Sequence, residues 1–148
     1  MNDDPRGRLV GRTHHFPVRV YFADTDAGGM VYHATYLDFA ERARTELMRI
    51  VGFDHVELRK REGILIGVRA VELDYLRPAL LDDLLEIRTS LEELGGASMR
   101  LRQDVWRGEV EIARISVRLA FIGSDGKPAR IPREMQSAIQ EIVTAEAI

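Results

Sequence analysis

One segment, residues 34–51, limits the possible folds more than any other part of the chain. When it is wound as an α-helix, apolar side chains cover roughly half of its circumference. Because one neighbouring helix cannot cover so wide a surface, we expect a sheet to wrap around it. Arg44 projects within the apolar arc and is interpreted as a snorkelling or ion-paired side chain, unless a buried anion accompanies it. The apolar positions are Tyr36, Leu37, Phe39, Ala40, Ala43, Leu47, Met48, Ile50 and Val51.

Extended segments lie on both sides of this helix. A first strand is predicted over residues 15–22, with Phe16, Val18, Val20 and Phe22 on one face. Four further strands are predicted near residues 64–76, 85–92, 99–105 and 110–122. In the second of the five strands the apolar parity changes, which indicates a bulge near residues 69–70. In the last strand the residues expected to point inward are Ala113, Ile115, Val117, Leu119 and Phe121.

These elements predict an α+β fold, in which a curved antiparallel sheet of about five strands wraps one long central helix. Residues 1–13 are interpreted as a flexible N-terminal arm, and residues 14–148 as a single domain. Short helices are expected over residues 53–62 and, opened by Pro132, at the end of the chain.

Composition excludes several function classes. The chain has no cysteine, so disulfides, thiolate chemistry and cysteine-ligated zinc are ruled out. Its net charge of −3 gives no reason to expect nucleic acid as a partner. It contains no apolar run long enough for an integral membrane segment and no apolar signal core near residue 1, so a cytoplasmic location is expected.

The loop over residues 24–33 joins the first strand to the long helix. It contains two acidic residues, Asp24 and Asp26, and two glycines, Gly28 and Gly29, and it ends at His33. One interpretation is that the aspartates cap the helix. The other is catalytic, because a carboxylate beside free N–H groups and a helix dipole suits attack on a carbonyl. The residues alone leave both interpretations open.

A family resemblance favours the catalytic interpretation. The run Asp-Thr-Asp-Ala-Gly-Gly at residues 24–29, followed by Tyr-His at residues 32–33, resembles the hotdog-fold acyl-CoA thioesterases. The likeness is to the 4-hydroxybenzoyl-CoA thioesterase branch and, within it, to the Tol-Pal-associated YbgC type. It extends through residues 41–46, 72–79 and 82–86, and it covers residues from about 16 to 122.

The resemblance implies roles for individual residues. Asp26 matches the catalytic carboxylate, which either attacks the thioester carbonyl or activates a water molecule. The backbone N–H of His33 matches the group that holds the carbonyl oxygen. Asp24, with a structural role, and Tyr32 belong to the active-site loop, together with the two glycines. The family needs no cofactor and no metal, and Asp24, Asp26 and His33 alone would make a poor metal site.

The resemblance also implies partners. The substrate is an acyl-CoA, and domains of this kind form homodimers, usually paired as a dimer of dimers into a homotetramer. An open sheet edge independently favours pairing with a second copy. Acyl carrier protein is a possible partner, and an acyl-thioester or carrier-protein binding subunit with incidental hydrolysis is the alternative function. A hotdog dehydratase would need a histidine base paired with an acid across the interface. It is less favoured, because the context of His33 and the Asp-Thr-Asp run resemble the thioesterase branch. Candidates for binding the CoA phosphates are Lys60, Arg61, Arg69, Arg77 and Arg130.

Overall fold

The computed structural model describes residues 4–144. They form six strands and three α-helices. The elements are β1 (Arg8–Val10), β2 (Thr13–Arg19), α1 (Thr35–Val51), α2 (His55–Glu62), β3 (Leu65–Tyr75), β4 (Leu84–Leu94), β5 (Ser98–Arg107), β6 (Val110–Ile122) and α3 (Arg133–Val143).

The strands form one antiparallel sheet in the order β1-β2-β4-β5-β6-β3. Strands β4, β5 and β6 follow one another as a meander. Strand β3 is set apart, because it precedes the meander in the chain but pairs with its last strand. The pairing shifts register on three of the ladders, at Val68/Ala70, Leu91/Glu93 and Val105/Trp106. Such bulges bend strands and increase their twist, so the sheet curves.

Helix α1 packs against the concave side of the sheet, and its apolar surface divides the core into two clusters. Its first half contributes Tyr36, Phe39, Ala40 and Ala43 to a cluster with β2, β4 and β6. Its last turns contribute Met48 and Val51 to a second cluster with the far ends of β5 and β6 and with α3. The predicted arrangement of a long helix wrapped by a curved antiparallel sheet is therefore confirmed.

The opposite side of the sheet is polar. Arg102 pairs there with Asp104 at 3.0 Å, and Arg100 pairs with Glu93 at 2.6 Å. The guanidinium of Arg88 lies 4.6 Å from the centre of the Trp106 ring. The helices therefore all pack on one side, since only that side of the sheet carries a continuous apolar surface.

Several sequence predictions agree in detail with the structure. The five residues expected to point inward from β6 are all buried. The change of parity in β3 coincides with the register shift between Val68 and Ala70. Gly52 and Gly63, both with positive φ, end α1 and α2.

Two expectations differ from the structure. Residues 8–10, within the predicted flexible arm, form β1 and pair with residues 13–15 of β2. Buried His14 helps to hold this hairpin, because its Nε2 lies 2.7 Å from the backbone oxygen of Arg6. The first strand was expected to reach Phe22, but it ends at Arg19. Phe22 begins a 3₁₀ turn that ends at Asp24, so its side chain is 81% exposed.

Candidate active site

The loop before α1 contains a tight hairpin at Asp26. The N–H of Asp26 donates to the Met30 oxygen at 2.8 Å, and the N–H of Gly29 donates to the Asp26 oxygen at 3.0 Å. Gly29 has a φ of +81°, which a residue with a side chain adopts only at a cost. This is the pattern of a three-residue hairpin loop with glycine in the left-handed position. The hairpin fixes the backbone on both sides of the candidate catalytic carboxylate.

The Asp26 side chain is exposed on this hairpin. Its Oδ1 accepts a hydrogen bond of 2.8 Å from the N–H of Gly28. Within residues 4–144, Oδ2 accepts no hydrogen bond, so one carboxylate oxygen remains available for a proton or a carbonyl carbon. The carboxylate therefore supports its own turn through one oxygen and leaves the other exposed.

Asp24 is engaged differently. Its Oδ2 accepts the N–H of Tyr21 at 2.8 Å, and its backbone oxygen accepts the N–H of Tyr32 at 2.9 Å. The first bond closes the 3₁₀ turn, and the second joins this turn to the end of the loop. These contacts agree with a structural role for Asp24.

The backbone N–H of His33 lies two residues before the first residue of α1. Nearby, the N–H groups of Thr35 and Leu37 donate to Tyr32 and Ala34 oxygens, whereas none of the loop and cap hydrogen bonds between described residues uses the N–H of His33. A free donor at the positive end of a helix is suited to an anion or a polarised carbonyl oxygen. The His33 ring packs against the Tyr32 ring, with their centres 4.3 Å apart.

Two tyrosines anchor the start of α1. The hydroxyl of Tyr75, from the end of β3, donates to the His33 backbone oxygen at 2.7 Å. The hydroxyl of buried Tyr36 accepts the N–H of Ala79 at 3.2 Å, and burial raises the pKa of Tyr36. Ala79 in turn accepts the N–H of Val31 at 2.9 Å. The segment after β3 therefore forms one wall of the loop.

The sequence predictions did not include this wall. Tyr75 and Ala79 both belong to the run of residues 72–79 that carries the family resemblance, but neither was assigned a role at the site. Neither position carries a local pattern that links it to residues 24–33, because the contacts join segments more than forty residues apart.

An apolar surface surrounds the loop. Apolar side chains occur throughout protein surfaces, but a contiguous exposed group of large ones marks a contact with a ligand or another protein. Phe22 is 81% exposed and Tyr21 is 67% exposed. The other large exposed apolar residues of these segments are Met30, Tyr32, Leu37, Tyr75, Leu76, Leu80, Leu81 and Leu84.

The candidate phosphate-binding residues do not form one group. Lys60 and Arg61 are exposed on α2, where Arg61 pairs with Glu57 at 3.2 Å. Arg69 lies in β3, and Arg77 follows the end of that strand. Tyr75 lies six positions after Arg69 along this extended strand, which corresponds to about 20 Å, and Arg77 follows two positions later. The fifth candidate, Arg130, lies between β6 and α3. Of the five, Arg77 is nearest in sequence to the wall of the loop.

Two further features of the described residues concern metals and membranes. Across residues 4–144 there is no group of three or more His, Asp or Glu side chains arranged to hold a metal ion. None of the helices in the same range is both long enough and apolar enough to cross a membrane.

Comparisons with known proteins agree with this architecture. The family model of the thioesterase-like superfamily matches residues 20–139. The acyl-CoA thioesterase YbgC of Haemophilus influenzae is 39% identical over 128 residues, which are 86% of this chain and 94% of that protein.

Solved structures show the same fold. A probable thioesterase from Bartonella henselae, 41% identical, superposes with a TM-score of 0.77 over 81% of this chain and 99% of its own. A 1,4-dihydroxy-2-naphthoyl-CoA thioesterase from Synechocystis superposes with a TM-score of 0.81, over 87% of this chain and 96% of its own. At 20% identity, the latter likeness shows the fold alone. The fold is the predicted hotdog fold, and the chain belongs to the thioesterase-like superfamily.

Proposed function

We propose that this chain hydrolyses acyl-CoA thioesters to a free acid and CoA, with Asp26 as the catalytic carboxylate. The observation that carries the proposal is the exposed Asp26 carboxylate, held on a rigid hairpin directly before the N-terminus of α1. Membership of the thioesterase-like superfamily and the likeness to YbgC support the same reaction.

In the general-base form of the reaction, the free Oδ2 of Asp26 takes a proton from water. The water oxygen then bonds to the thioester carbonyl carbon, and the carbonyl oxygen becomes an oxyanion. When this intermediate collapses, the C–S bond breaks and the CoA thiolate leaves and takes up a proton. In the nucleophilic form, Oδ2 itself bonds to the carbonyl carbon, the thiolate leaves, and water then hydrolyses the mixed anhydride.

Both forms need a stabilised oxyanion. The N–H of His33 and the positive end of the α1 dipole are suited to that charge, and a well-placed donor of this kind is typically worth about 3 kcal/mol in the transition state. Gly28 and Gly29 carry no side chain that would keep a substrate away from this loop.

Replacement of Asp26 by asparagine tests the proposal. In Asp26→Asn the amide oxygen can still accept the Gly28 N–H, so the turn and the melting temperature should be retained, whereas the general base or nucleophile is lost. We expect kcat for the best acyl-CoA to fall at least about 100-fold.

Asp24→Asn is the matched control, because its amide oxygen can likewise accept the Tyr21 N–H. We expect less than about a tenfold change in kcat for this variant. Near-normal turnover by Asp26→Asn would remove Asp26 from the mechanism. Equal losses in both variants would indicate that loop structure, not the Asp26 carboxylate, had been tested.

The active species is proposed to be a homodimer, with dimers pairing into a tetramer. The support is the outer edge of β3, which no other strand between residues 4 and 144 covers, and the apolar surface that adjoins it. Strand pairing there would place the loop of one chain beside a second chain and enclose the acyl group between them.

The 4-hydroxybenzoyl-CoA branch, the cytoplasmic location and acyl carrier protein as a partner stay predictions.

A substrate panel separates hydrolysis from binding. Short, long and aromatic acyl-CoAs are compared by the release of free CoA. We expect kcat/KM above about 10⁴ M⁻¹s⁻¹ for the best of them. Values far below this for every acyl-CoA, together with tight binding of acyl carrier protein, would favour the binding subunit.

A further inference from the structure

A cavity lies between the last turns of α1, the concave side of the sheet, α3 and the hairpin of β1 and β2. Its volume is about 370 Å³, within the range of small-molecule sites. Most of its lining is aliphatic, and three methionines, Met48, Met99 and Met135, contribute adaptable walls. The cavity is partly open to solvent, so a small molecule can reach it from outside.

Arg44 is the least exposed of the charged residues that line the cavity. Its side chain is only 14% exposed, yet the nearest carboxylate, that of Glu41, is 3.9 Å away and is itself 72% exposed. Burial lowers the pKa of Arg44, because water is removed from the guanidinium and the Glu41 carboxylate compensates for this only in part. A buried cation without a close counter-ion is unfavourable, and a bound anion would relieve that penalty.

The Arg44 guanidinium is also held in position. Its Nη1 donates to Oε1 of Gln103 at 3.3 Å. Gln103 is fully buried, and its Nε2 donates to the Ala40 oxygen at 2.8 Å and to the Thr89 hydroxyl at 3.0 Å. These contacts use one of the five N–H donors that a guanidinium carries, so others can bind a ligand. Both Arg44 and Thr89 line the cavity.

This cavity is separate from the Asp26 loop. None of its lining residues belongs to residues 20–40 or 75–84. Arg44 follows the first residue of α1 by nine positions, which corresponds to about 13 Å along the helix axis. The packed cluster that includes Phe39 and Ala43 fills the first half of the space beneath α1. A ligand in the cavity would therefore not occupy the thioester position.

We propose that this cavity binds an amphipathic monocarboxylate, such as a medium-chain fatty acid. The carboxylate binds the Arg44 guanidinium, and the alkyl chain lies among the aliphatic and methionine side chains. Arg12 and Glu41 also line the cavity but are exposed, so Arg44 is the cation placed to bind one anionic head group, and the apolar remainder matches an unbranched chain. The inference concerns binding alone and does not rest on the proposed hydrolysis. The lining residues that carry the argument are Arg44, Met48, Thr89, Met99, Leu101 and Met135.

The methionine methyl groups provide a test that locates the ligand. The chain has five methionines: three line the cavity, Met30 lies in the Asp26 loop, and Met1 lies outside the described residues. Decanoate is titrated into the full-length protein with isotope-labelled methionine methyl groups and followed by NMR. We expect the signals of Met48, Met99 and Met135 to shift together, with no comparable shift of Met30.

Two variants separate the head group from the chain. Arg44→Met removes the charge and puts an apolar side chain in its place. Relief of the poorly paired charge and loss of the hydrogen bond to the Gln103 oxygen oppose each other, so the melting temperature should change little. We expect it to weaken decanoate binding at least about tenfold and to leave decanol binding unchanged. Arg44→Lys should restore part of the decanoate affinity. Leu91→Phe enlarges a lining side chain, so it should weaken decanoate and decanol alike.

Three results would overturn the proposal. The first is a shift of Met30 alone, which would assign decanoate to the Asp26 loop. The second is the absence of any methyl shift up to the solubility limit of decanoate. The third is equal affinity of the wild type and Arg44→Met for decanoate, which would remove Arg44 from the site.

Discussion

Strand β1, at one edge of the sheet, is three residues long, whereas β3, at the other edge, runs for eleven residues. The turn before β1 is closed by charged groups, with Arg6 pairing to Asp4 at 2.8 Å. By contrast, β3 exposes Leu65, Val68 and Tyr75 to about half of their full extent. A very short edge offers few groups for pairing with another chain, whereas a long edge with exposed apolar side chains favours it.

Because the two edge strands differ in this way, we expect them to have different roles. The β1 edge ends the sheet and helps to cover one end of the Arg44 cavity through Leu9. The β3 edge adjoins the Asp26 loop, because Tyr75 bonds to His33. Assembly and catalysis are therefore expected to depend on β3, and local stability on β1.

A charge on the β3 edge should have the largest effect. Val71, whose partner in β6 is the buried Val117, is 38% exposed on the concave side of the sheet. Val71→Lys puts an inward-facing charge on that edge, which opposes strand pairing. We expect the dimer dissociation constant to rise at least about 100-fold, since burying an unpaired charge in an interface is strongly unfavourable. Light scattering across a dilution series, beside CoA release, measures both properties.

Val56→Lys is the matched control, because Val56 is 66% exposed on helix α2 and belongs to neither edge strand. This variant should keep the oligomer and the activity of the wild type. If Val71→Lys remained a dimer, or if it were a fully active monomer of about 17 kDa, the assignment of assembly to β3 would be wrong.

A side chain at Gly7 should damage the β1 edge instead. Gly7 has a φ of +76°, and a Cβ there would lie 2.3 Å from the backbone oxygen of His15. Gly108 also has a positive φ, +58°, but a Cβ there would meet no atom within 4 Å. We expect Gly108→Ala to cost about 1 kcal/mol and Gly7→Ala roughly 2 kcal/mol or more.

Urea unfolding measures these costs, and amide hydrogen exchange over residues 8–15 shows whether the β1 pairing opens locally. The oligomeric state should not change in either variant. Equal stability of the two variants would show that the close contact at Gly7 relaxes without harm to β1.

Removal of one hydroxyl should give the smallest effect. Tyr75→Phe deletes the 2.7 Å hydrogen bond to the His33 oxygen while it keeps the ring. We expect a stability loss of about 1 kcal/mol, and a fall in kcat of up to about tenfold, because the helix start is less firmly placed. Tyr21→Phe is the control, since its hydroxyl donates to no described residue and its side chain is 67% exposed. Thermal unfolding and steady-state kinetics test the pair. Identical results for Tyr75→Phe and Tyr21→Phe would show that the hydrogen bond from β3 does not affect the site.

The parts of the fold that depend on local patterns could be predicted from the sequence. Helix α1 begins within one residue of its predicted start, because apolar periodicity over seventeen residues is a strong signal. The inward face of β6 followed from alternation alone. Strand β1 could not be predicted in this way, since three residues carry no period and the strand exists through its pairing with β2.

The candidate site was predictable only in part. The loop over residues 24–33 could be recognised from its residues, but the bonds of Tyr75 and Ala79 that hold it depend on long-range packing. The buried polar residues beside Arg44 did carry a signal. Gln103 stands between Leu101 and Val105 at an inward position of β5, where alternation predicts an apolar residue.

The strand order also determines when each strand can find its pairing partner while the chain is synthesised on the ribosome. The meander of β4, β5 and β6 can form from neighbouring segments, but β3 has to wait for β6, which is the last strand to be synthesised. At ordinary elongation rates that delay lasts roughly two to ten seconds. During this interval the apolar β3 segment is unpaired on both sides, so it is the part of the chain most exposed to premature association and to chaperone binding.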